Sequence, residues 1–306
     1  MPTQPAPVLV SGATGRQGGA TARALLAAGV PVRALVRDPE TERAAAVRAL
    51  GADLVTGDLR DRDSLAPAVD GVRAVFSVQM PELTEDGFDF DGEVAQATNL
   101  VEAARAAEVA QFVHTSVSGA GQHTEVPGMA EGRWGVARSL GAKSAIQDRV
   151  REAGFPSWTL LKPAFFMANF LPSMGFLFPR GVEGGLVSVL KPDTRLSLIA
   201  TADIGAAAAA AIAEPARFHE VELELAGDFL PMERIAEVLS GALGVPLTAP
   251  DMTEAEALAA GMPGMGATHD YLNAVGQPAR PEFAAELGLP TTAVEQWAAE
   301  HLRAGA

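Results

Sequence analysis

The sequence predicts an α/β fold, in which a doubly wound parallel sheet is followed by a smaller C-terminal α+β lobe. Short apolar segments alternate with helical segments through residues 1–162, and a glycine-rich turn joins the first strand to the first helix. Alternation of this kind is typical of right-handed βαβ units, which build a parallel sheet. We therefore expect a main domain over residues 1–162 and a smaller lobe over residues 163–306, from which some segments return to the main sheet.

The expected strands of the main domain are short and mostly apolar, and Gly, Pro or Asp bounds them, which suits strands buried on both faces. The segments between them carry alanine, leucine and charged residues at helical spacing. Strands are expected at Val8–Ser11, Val32–Val36, Asp53–Thr56, Ala74–Val78, Gln111–Thr115 and Trp158–Leu161. Helices are expected at Gln17–Ala28, Thr41–Leu50, Ser64–Val69, Phe90–Ala107 and Lys143–Ala153.

The composition changes after residue 162, where a run rich in Phe, Met, Pro and Gly extends from Phe165 to Gly185. This run is explained most simply as core, and its place after the sixth strand also suits the apolar wall of a ligand pocket at the carboxyl ends of the main sheet. In the C-terminal lobe we expect strands at 196–200 and 220–225 and helices at 202–213, 231–243, 253–260, 267–275 and 292–302.

The 306 residues carry a formal net charge of −15 and no cysteine. An acidic surface repels nucleic-acid phosphates and anionic lipid, so we expect neither a nucleic-acid nor a membrane partner. The five histidines show no metal-ligand spacing, and without cysteine no metal site is predicted. No signal peptide or membrane span is predicted either. We expect a cytoplasmic protein with a small-molecule substrate, present as a monomer or a homodimer.

The glycine-rich turn has the pattern G-x-x-G-x-x-G, formed by Gly12, Gly15 and Gly18 directly after the first strand. One glycine permits the tight turn, one lets the backbone approach a pyrophosphate, and one lets the helix pack close to the sheet. The helix then offers free N–H groups and the positive end of its dipole to phosphate. A turn without a ligand is the alternative. Because the strand–turn–helix context is present, the pattern predicts a dinucleotide cofactor, held by Gly12, Thr14, Gly15, Arg16, Gln17 and Gly18.

The residue at the end of the second strand indicates which dinucleotide binds. NAD-binding folds place an acidic residue there, about 20 residues after the last glycine, to bind the ribose hydroxyls. Here that place is taken by Arg37, whose guanidinium suits the 2′-phosphate of NADP(H). Arg16 could add a second charge. Asp38 leaves NAD open as the alternative, and Arg37 could also be a solvated arginine at a strand end.

Two further strand ends are expected along the cofactor. Asp58 and Leu59 follow the third strand, where a carboxylate can accept from the adenine amino group, although Asp58 could equally be a loop or capping residue. Ser77, Val78 and Gln79 follow the fourth strand, where backbone and side chains can pass along a cofactor ribose.

Several strings of the sequence resemble the NmrA-like family of atypical short-chain dehydrogenases. They are Gly-Ala-Thr-Gly-Arg-Gln-Gly-Gly (12–19), Ala-Leu-Val-Arg-Asp-Pro (34–39), Gly-Asp-Leu-Arg-Asp (57–61), Leu-Leu-Lys-Pro-Ala-Phe-Phe-Met-Ala-Asn-Phe (160–170) and Asp-Ile-Gly (203–205). The resemblance is strong through about residue 215 and weaker beyond. It implies a Rossmann domain with a small C-terminal lobe and NADP(H) as the usual cofactor, with Pro163 and Phe166 of the fourth string among the cofactor-binding residues. Members of the family are either redox-sensing regulators or reductases of quinones, dyes and other small unsaturated molecules.

The catalytic residues depart from the ordinary short-chain dehydrogenase pattern, in which a Tyr acts as general acid and a Lys four residues later holds the ribose. Lys143 stands where the family lysine is expected, but Ser139 stands four residues before it and the only tyrosine is Tyr271. Lys143 could hold the nicotinamide ribose, donate a proton or be an exposed lysine. Ser116, at the end of the fifth strand, could bind a substrate oxygen or the cofactor, or cap backbone groups.

The remaining candidates are weaker. His114 lies inside the fifth strand and is expected to be a core residue, and His123 in the loop that follows is an alternative acid. The Gly119–Gly135 loop, with Trp134 near its end, could act as a lid.

Three functions are compatible with these residues. The first is an NADPH-dependent oxidoreductase that transfers hydride to a small, largely apolar acceptor such as a quinone, an enone or an imine, because the cofactor carries the difficult chemistry. The second is an NADP(H)-binding redox sensor without catalysis. The third is an isomerase or lyase that uses NADP structurally.

Overall fold

A computed structural model describes residues 5–85 and 87–302. The strands are β1 (Val8–Val10), β2 (Val32–Val36), β3 (Asp53–Thr56), β4 (Ala74–Ser77), β5 (Glu82–Thr84), β6 (Gly87–Asp89), β7 (Gln111–Thr115), β8 (Ser157–Pro163), β9 (Phe165–Phe166), β10 (Arg195–Ile199), β11 (Val221–Leu225) and β12 (Asp228–Pro231). The α-helices are α1 (Arg16–Ala27), α2 (Glu42–Ala49), α3 (Ala66–Val69), α4 (Phe90–Ala106), α5 (Ala137–Glu152), α6 (Thr201–Ala213), α7 (Pro215–Phe218), α8 (Met232–Leu243), α9 (Glu254–Ala259), α10 (Asp270–Ala274), α11 (Pro281–Glu286) and α12 (Val294–His301). In the described part of the chain, no helix is both long and apolar enough to cross a bilayer.

Two compact units make up the chain. The first takes in the described residues up to Gly121 together with Arg138–Lys162 and Ile204–Leu223. The second takes in Gln122–Ala137, Pro163–Asp203 and the described residues from Glu224 onward. The predicted division into a cofactor-binding domain at residues 1–162 and a substrate lobe at residues 163–306 stays a prediction.

The first unit contains a seven-stranded sheet in the order β3-β2-β1-β4-β7-β8-β11, and the six strands from β3 to β8 pair in parallel. The chain runs outward from β1 to β3 and then returns to the other side of β1 with β4. The carboxyl ends of β1 and β4 therefore form a topological switch point, which is where open α/β sheets bind ligands. This architecture confirms the predicted doubly wound fold.

The core of the first unit is apolar on both faces of these strands. One cluster joins strand residues such as Leu9, Val75 and Leu160 to residues of α4, and Phe112 stacks on Phe155 with ring centroids 4.8 Å apart. Gly205 belongs to the Asp-Ile-Gly string, and a Cβ on it would lie 2.5 Å from the carbonyl carbon of Ala20. Only glycine therefore lets α6 lie this close to α1.

The second unit is built around a small sheet in the order β12-β10-β9, in which β10 runs antiparallel to β12 and parallel to β9. Its core contains much of the Phe- and Met-rich run, including Phe165, Met167 and Phe170, packed with residues of α8 and α12. The simplest interpretation of that run as core is therefore correct.

Several predicted boundaries were wrong. Helix α5 begins at Ala137, whereas a start at Lys143 was predicted. The serine at 139 and the glycine at 141 have low helix propensity, yet both occupy helical positions. The β5–β6 hairpin was not predicted, since each of its strands has only three residues, which is too short for a periodic pattern, and most of these residues are exposed. Strands β9 and β12 and helices α7 and α11 were also missed; each is six residues or shorter.

Candidate cofactor and active site

The glycine turn after β1 is packed too closely for side chains. Gly12 has a φ of +60°, and a Cβ on it would lie 2.6 Å from Val78 Cγ1. A Cβ on Gly18 would lie 2.5 Å from the carbonyl oxygen of Ser11. The N–H of Gly15 donates to the carbonyl oxygen of Gly12 at 2.8 Å, which closes the turn. Gly12 thus permits the tight turn and Gly18 the close packing of the helix, as the pattern predicts, and the approach of a pyrophosphate to the backbone stays a prediction.

The N-terminus of α1 is open. Its N-cap residue is Gly15, no side chain caps the helix, and no acidic residue stands in the first turn. The first N–H groups of a helix have no partner within the helix, and the helix dipole is positive there. Gly12, Thr14, Gly15 and Arg16 are exposed. The predicted cofactor turn is therefore accessible and has the charge that a pyrophosphate requires.

Gln17, the second residue of α1, connects this turn to the sheet. Its side-chain oxygen Oε1 accepts a hydrogen bond from the hydroxyl of Thr115 at 2.7 Å. Gln17 therefore ties the start of α1 to the end of β7.

Arg37, Asp58, Arg60 and Glu82 form a group at the ends of β2 and β3 that we call the exposed cluster. The side chain of Arg37 is 69% exposed, and its guanidinium lies 3.8 Å from Glu82. Arg60 donates to both carboxylate oxygens of Asp58 at 2.8–3.2 Å and lies 3.4 Å from Glu82. Hydrogen bonding from Arg60, the largest effect, lowers the pKa of Asp58. Two arginines therefore stand where the sequence predicted one.

Two residues beside this cluster already have hydrogen-bond partners. Asp38 Oδ1 accepts from the backbone N–H of Glu40 at 2.8 Å, so the carboxylate that could have served an NAD ribose closes a turn. The carbonyl oxygen of Leu59 accepts from Asn99 Nδ2 at 2.8 Å.

At the end of β4, both side-chain and backbone polar groups already have hydrogen-bond partners. The hydroxyl of Ser77 lies 3.1 Å from Gln79 Nε2 and 3.2 Å from His114 Nδ1, and all three side chains are buried. The N–H and C=O of Val78 bond to the hydroxyl of Ser11 at 2.9 and 3.2 Å. The predicted cofactor contacts of Ser77, Val78 and Gln79 stay predictions.

Lys143 lies in the middle of α5, and its side chain is 12% exposed. Its ammonium lies 2.5 Å from Glu93 Oε1 and donates to the carbonyl oxygen of Gln79 at 3.2 Å. Glu93 is fully buried in the first turn of α4, where the helix dipole favours a carboxylate. An ammonium has three N–H donors, and two have partners among the described residues, so one N–H of Lys143 is left for a ligand.

His114 is buried in β7, as expected, but it is not fully satisfied. Its Nε2 and the Oε2 of Glu93 have no hydrogen-bond partner within the described ranges. Burial, followed by the nearby charge of Lys143, lowers the pKa of His114 to about 3. His114 is therefore neutral near neutral pH and is no source of protons there.

Ser116 follows β7 and is buried, and its hydroxyl lies 2.7 Å from Gln147 Nε2. Gln147 is also buried, one turn after Lys143 on α5, and its Oε1 accepts from Arg151 at 3.1 Å. Residues 143 and 147 share one face of the helix. We call Glu93, Ser116, Lys143 and Gln147 the buried cluster.

The other candidates lie in the second unit. Pro163 ends β8 and Phe166 ends β9, and their cofactor contacts stay predictions. His123 is buried in a short 3-10 helix, and burial lowers its pKa. The Trp134 ring packs edge-on against Tyr271 at 5.7 Å, and its Nε1 donates to the carbonyl oxygen of Pro127 at 3.0 Å. A lid role for the loop that contains Trp134 stays a prediction.

Four residues of these clusters were missed by sequence reasoning: Arg60, Glu82, Glu93 and Gln147. Glu93 had a signal, because it begins the spacing Glu93, Ala97, Leu100 and Ala104 on the buried face of α4. A carboxylate on an apolar stripe indicates a buried partner. Gln147 stands four residues after Lys143, which is the spacing of one helix face.

Comparisons with known proteins agree with the family resemblance. The model of the NmrA-like family matches residues 5–268. The chain is 31% identical over 271 residues to an NAD(P)H azoreductase of Xenophilus azovorans, with 88% of this chain and 85% of the relative covered.

Solved structures share the fold. An NADPH-dependent quinone oxidoreductase from Escherichia coli, complexed with NADPH, gives a TM-score of 0.76 at 24% identity, over 96% of this chain and 99% of that chain. NmrA, a negative transcriptional regulator in complex with NADP, gives 0.73 at 20% identity, over 98% of this chain and 96% of that chain. Reductases and a regulator thus have the same architecture.

Proposed function

The chain belongs to the NmrA-like family, and on that premise we propose that it is an NADPH-dependent oxidoreductase. Its acceptor is a small, largely apolar molecule such as a quinone, an enone or an imine. The observation that carries the proposal is the glycine turn, where Gly12 and Gly18 leave no room for a Cβ and the open N-terminus of α1 offers N–H groups to a pyrophosphate. Bound NADPH supplies the hydride.

The preference for NADP over NAD rests on charge at the end of β2. Arg37 is exposed and lies 3.8 Å from its nearest carboxylate, so its guanidinium can turn to a 2′-phosphate, and Arg60, which is bonded to Asp58, adds a second positive charge to the cluster. Asp38, the competing ribose ligand, already accepts from the Glu40 N–H.

The preference for an electron-poor acceptor rests on Lys143 and Ser116. Lys143 has one N–H without a partner among the described residues, and the hydroxyl of Ser116 contacts Gln147, which stands one turn after Lys143 on α5. Hydrogen-bond donors stabilise the charge that develops on an acceptor as hydride arrives. The relatives named as an azoreductase and a quinone oxidoreductase support this class.

An assay of NADPH consumption tests the proposal. The protein is mixed with NADPH and a panel of quinones, enones and imines, and the absorbance of the reduced nicotinamide is followed. Gly18→Ala is expected to abolish consumption and weaken NADPH binding by at least about 100-fold, because the new Cβ forces the turn open. Gly141→Ala is the matched control: a Cβ there meets nothing within 4 Å, and alanine stabilises a helix by about 1 kcal/mol. Equal activity of the two variants would contradict the cofactor assignment.

The second candidate function is an NADP(H)-sensing regulator. Ser139 occupies the place of the usual tyrosine, so the ordinary general acid is absent, and NmrA shows that a regulator can have this fold. If no acceptor is reduced while NADP⁺ and NADPH bind with clearly different affinities, the regulator explains the chain better than the enzyme.

A further inference from the structure

The hydrogen bonds around Ser116 determine whether its hydroxyl donates or accepts. Ser116 lies at the end of β7, where its backbone N–H donates to the carbonyl oxygen of Leu161 at 2.7 Å and its Oγ lies 2.7 Å from Gln147 Nε2. A serine hydroxyl can both donate and accept. Which of the two it does toward Gln147 depends on which end of the Gln147 amide faces it.

Arg151 decides the orientation of that amide. A guanidinium is a donor only, so the atom of Gln147 that lies 3.1 Å from Arg151 Nη2 is the carbonyl oxygen Oε1. The other end of the amide is then the NH2 group, which can only donate. Ser116 Oγ accepts from it, and the Ser116 O–H has no acceptor among the described residues. Its proton is left for a ligand.

Arg151 is itself held by charge. Its Nε and Nη2 donate to the two oxygens of Glu222 at 2.7 and 2.8 Å, and Lys162 donates to the same carboxylate at 3.1 Å. Hydrogen bonding from Arg151 lowers the pKa of Glu222, so this carboxylate stays ionised at neutral pH. A paired fork of this kind fixes the guanidinium, and through it the Gln147 amide.

Lys143 adds a second donor one turn earlier on α5. Glu93 and the Gln79 carbonyl hold two of its three N–H groups. One N–H of Lys143 is therefore available to a ligand. The O–H of Ser116 is also available, because Gln147, on the same face of α5, donates to the Ser116 oxygen. Hydrogen-bond donors of this kind favour a ligand atom that becomes more negative during the reaction.

We propose that Gln147 is a positioning residue that makes Ser116 a hydrogen-bond donor to an oxygen of the substrate. This donor selects quinones over substrates that take hydride at a carbon and have no such oxygen. This inference rests on the proposed oxidoreductase function. In the reaction NADPH becomes NADP⁺, and the quinone gains the hydride and one proton from water to become the hydroquinone.

Gln147→Glu tests the proposal with almost no change of shape. The new carboxylate accepts from both Arg151 and Ser116, so the Ser116 proton is turned away from the ligand. We expect kcat with a quinone to fall about 100-fold, as when one donor to a developing oxyanion is removed. The control is Gln96→Glu, which adds the same charge on α4. Two quantities should agree within about twofold between Gln147→Glu and this control. They are the Kd of NADPH and the rate with a cationic triarylmethane dye, which accepts hydride at carbon.

The double variant Ser116→Ala/Gln147→Glu separates positioning from packing. If Gln147 acts through Ser116, the second substitution adds no further loss to Ser116→Ala. Full quinone turnover in Gln147→Glu, an equal loss with the dye, or an additive loss in the double variant would overturn the proposal.

One measurement keeps this test separate from the proposed function. In the ligand-free protein, Ser116→Ala should shift the side-chain amide NMR signals of Gln147, which are identified by their loss in Gln147→Glu. Unmoved signals overturn the positioning role whether or not the protein reduces any acceptor. If the signals move while the wild-type protein consumes no NADPH, the oxidoreductase function fails and the Gln147–Ser116 hydrogen bond stands.

Discussion

The exposed cluster and the buried cluster are both polar, but they differ in what a substitution costs. In the exposed cluster, Arg37 is 69% exposed and its nearest ion-pair distance is 3.8 Å. In the buried cluster, Glu93 is fully buried and lies 2.5 Å from the Lys143 ammonium. An exposed pair contributes about 0–1 kcal/mol, whereas breaking a buried pair costs about 3–5 kcal/mol.

This difference separates two properties of the proposed enzyme. Choice between NADP and NAD depends on side chains that can be exchanged without unfolding the protein. Orientation of the donors toward the acceptor depends on side chains whose partners are fixed in the core. Cofactor preference should therefore change easily by substitution, and the donor arrangement should not.

The largest expected effect is on the buried pair. Lys143→Met leaves the Glu93 carboxylate buried without a cation, so the free energy of unfolding should fall by about 3–5 kcal/mol. Glu93→Gln/Lys143→Met should recover most of that loss, because the uncompensated charge is gone. Urea denaturation measures both.

Lys191→Met is the matched control, since Lys191 pairs with Asp251 while their side chains are 39% and 71% exposed. That substitution should cost less than about 1 kcal/mol. If Lys143→Met and Lys191→Met lowered the free energy of unfolding equally, the distinction between buried and exposed ion pairs would be wrong.

An intermediate effect is expected on cofactor preference. Arg37→Ala and Arg60→Ala should each weaken NADPH binding about tenfold, the size of one charge-assisted contact, and leave NADH binding nearly unchanged. Titration of cofactor fluorescence gives the dissociation constants of NADPH and NADH for the wild type and both variants. A parallel loss for NADPH and NADH would refute contact with the 2′-phosphate.

The smallest effect is a pH dependence. Arg151 lowers the pKa of Glu222 below its ordinary value of 4.5. A carboxylate with a lowered pKa stabilises the fold above its unfolded pKa, and this contribution is lost as the pH falls through the folded value. Arg151→Met should therefore cost about 1 kcal/mol near neutral pH, and the two proteins should converge below pH 4.5.

Arg217→Met is the control for this pH series, because Arg217 and Glu214 form a surface pair with side chains 42% and 51% exposed. Its free energy of unfolding should differ little from that of the wild type at any pH. If the difference in the free energy of unfolding between Arg151→Met and the wild type grew as the pH fell, the result would contradict this prediction.

Local sequence predicted the elements whose signals are local. Strands β2, β3 and β7 have the predicted bounds, because each is a short run that contains β-branched residues and is followed by a polar or turn residue. The glycine turn was predicted from three glycines spaced three residues apart, directly after a strand and before a helix.

The buried cluster could not be predicted in the same way. The contact of Lys143 with Glu93 joins residues 50 positions apart, and that of Gln147 with Ser116 joins residues 31 apart. Such contacts depend on how α4 and α5 pack on the sheet, which periodicity does not determine. Sequence reasoning placed Lys143 and Ser116 at the site but not the residues that hold them.

Transfer of a labelled hydride tests the central claim most directly. The protein is incubated with NADPH that carries deuterium at the hydride-donating carbon and with an enone or imine acceptor, and the product is analysed by mass spectrometry. The proposed function predicts one deuterium on carbon in the reduced product, at a rate that Gly18→Ala reduces to background. NADPH that binds but yields no labelled product with any enone or imine, and is not consumed by any quinone, would contradict it.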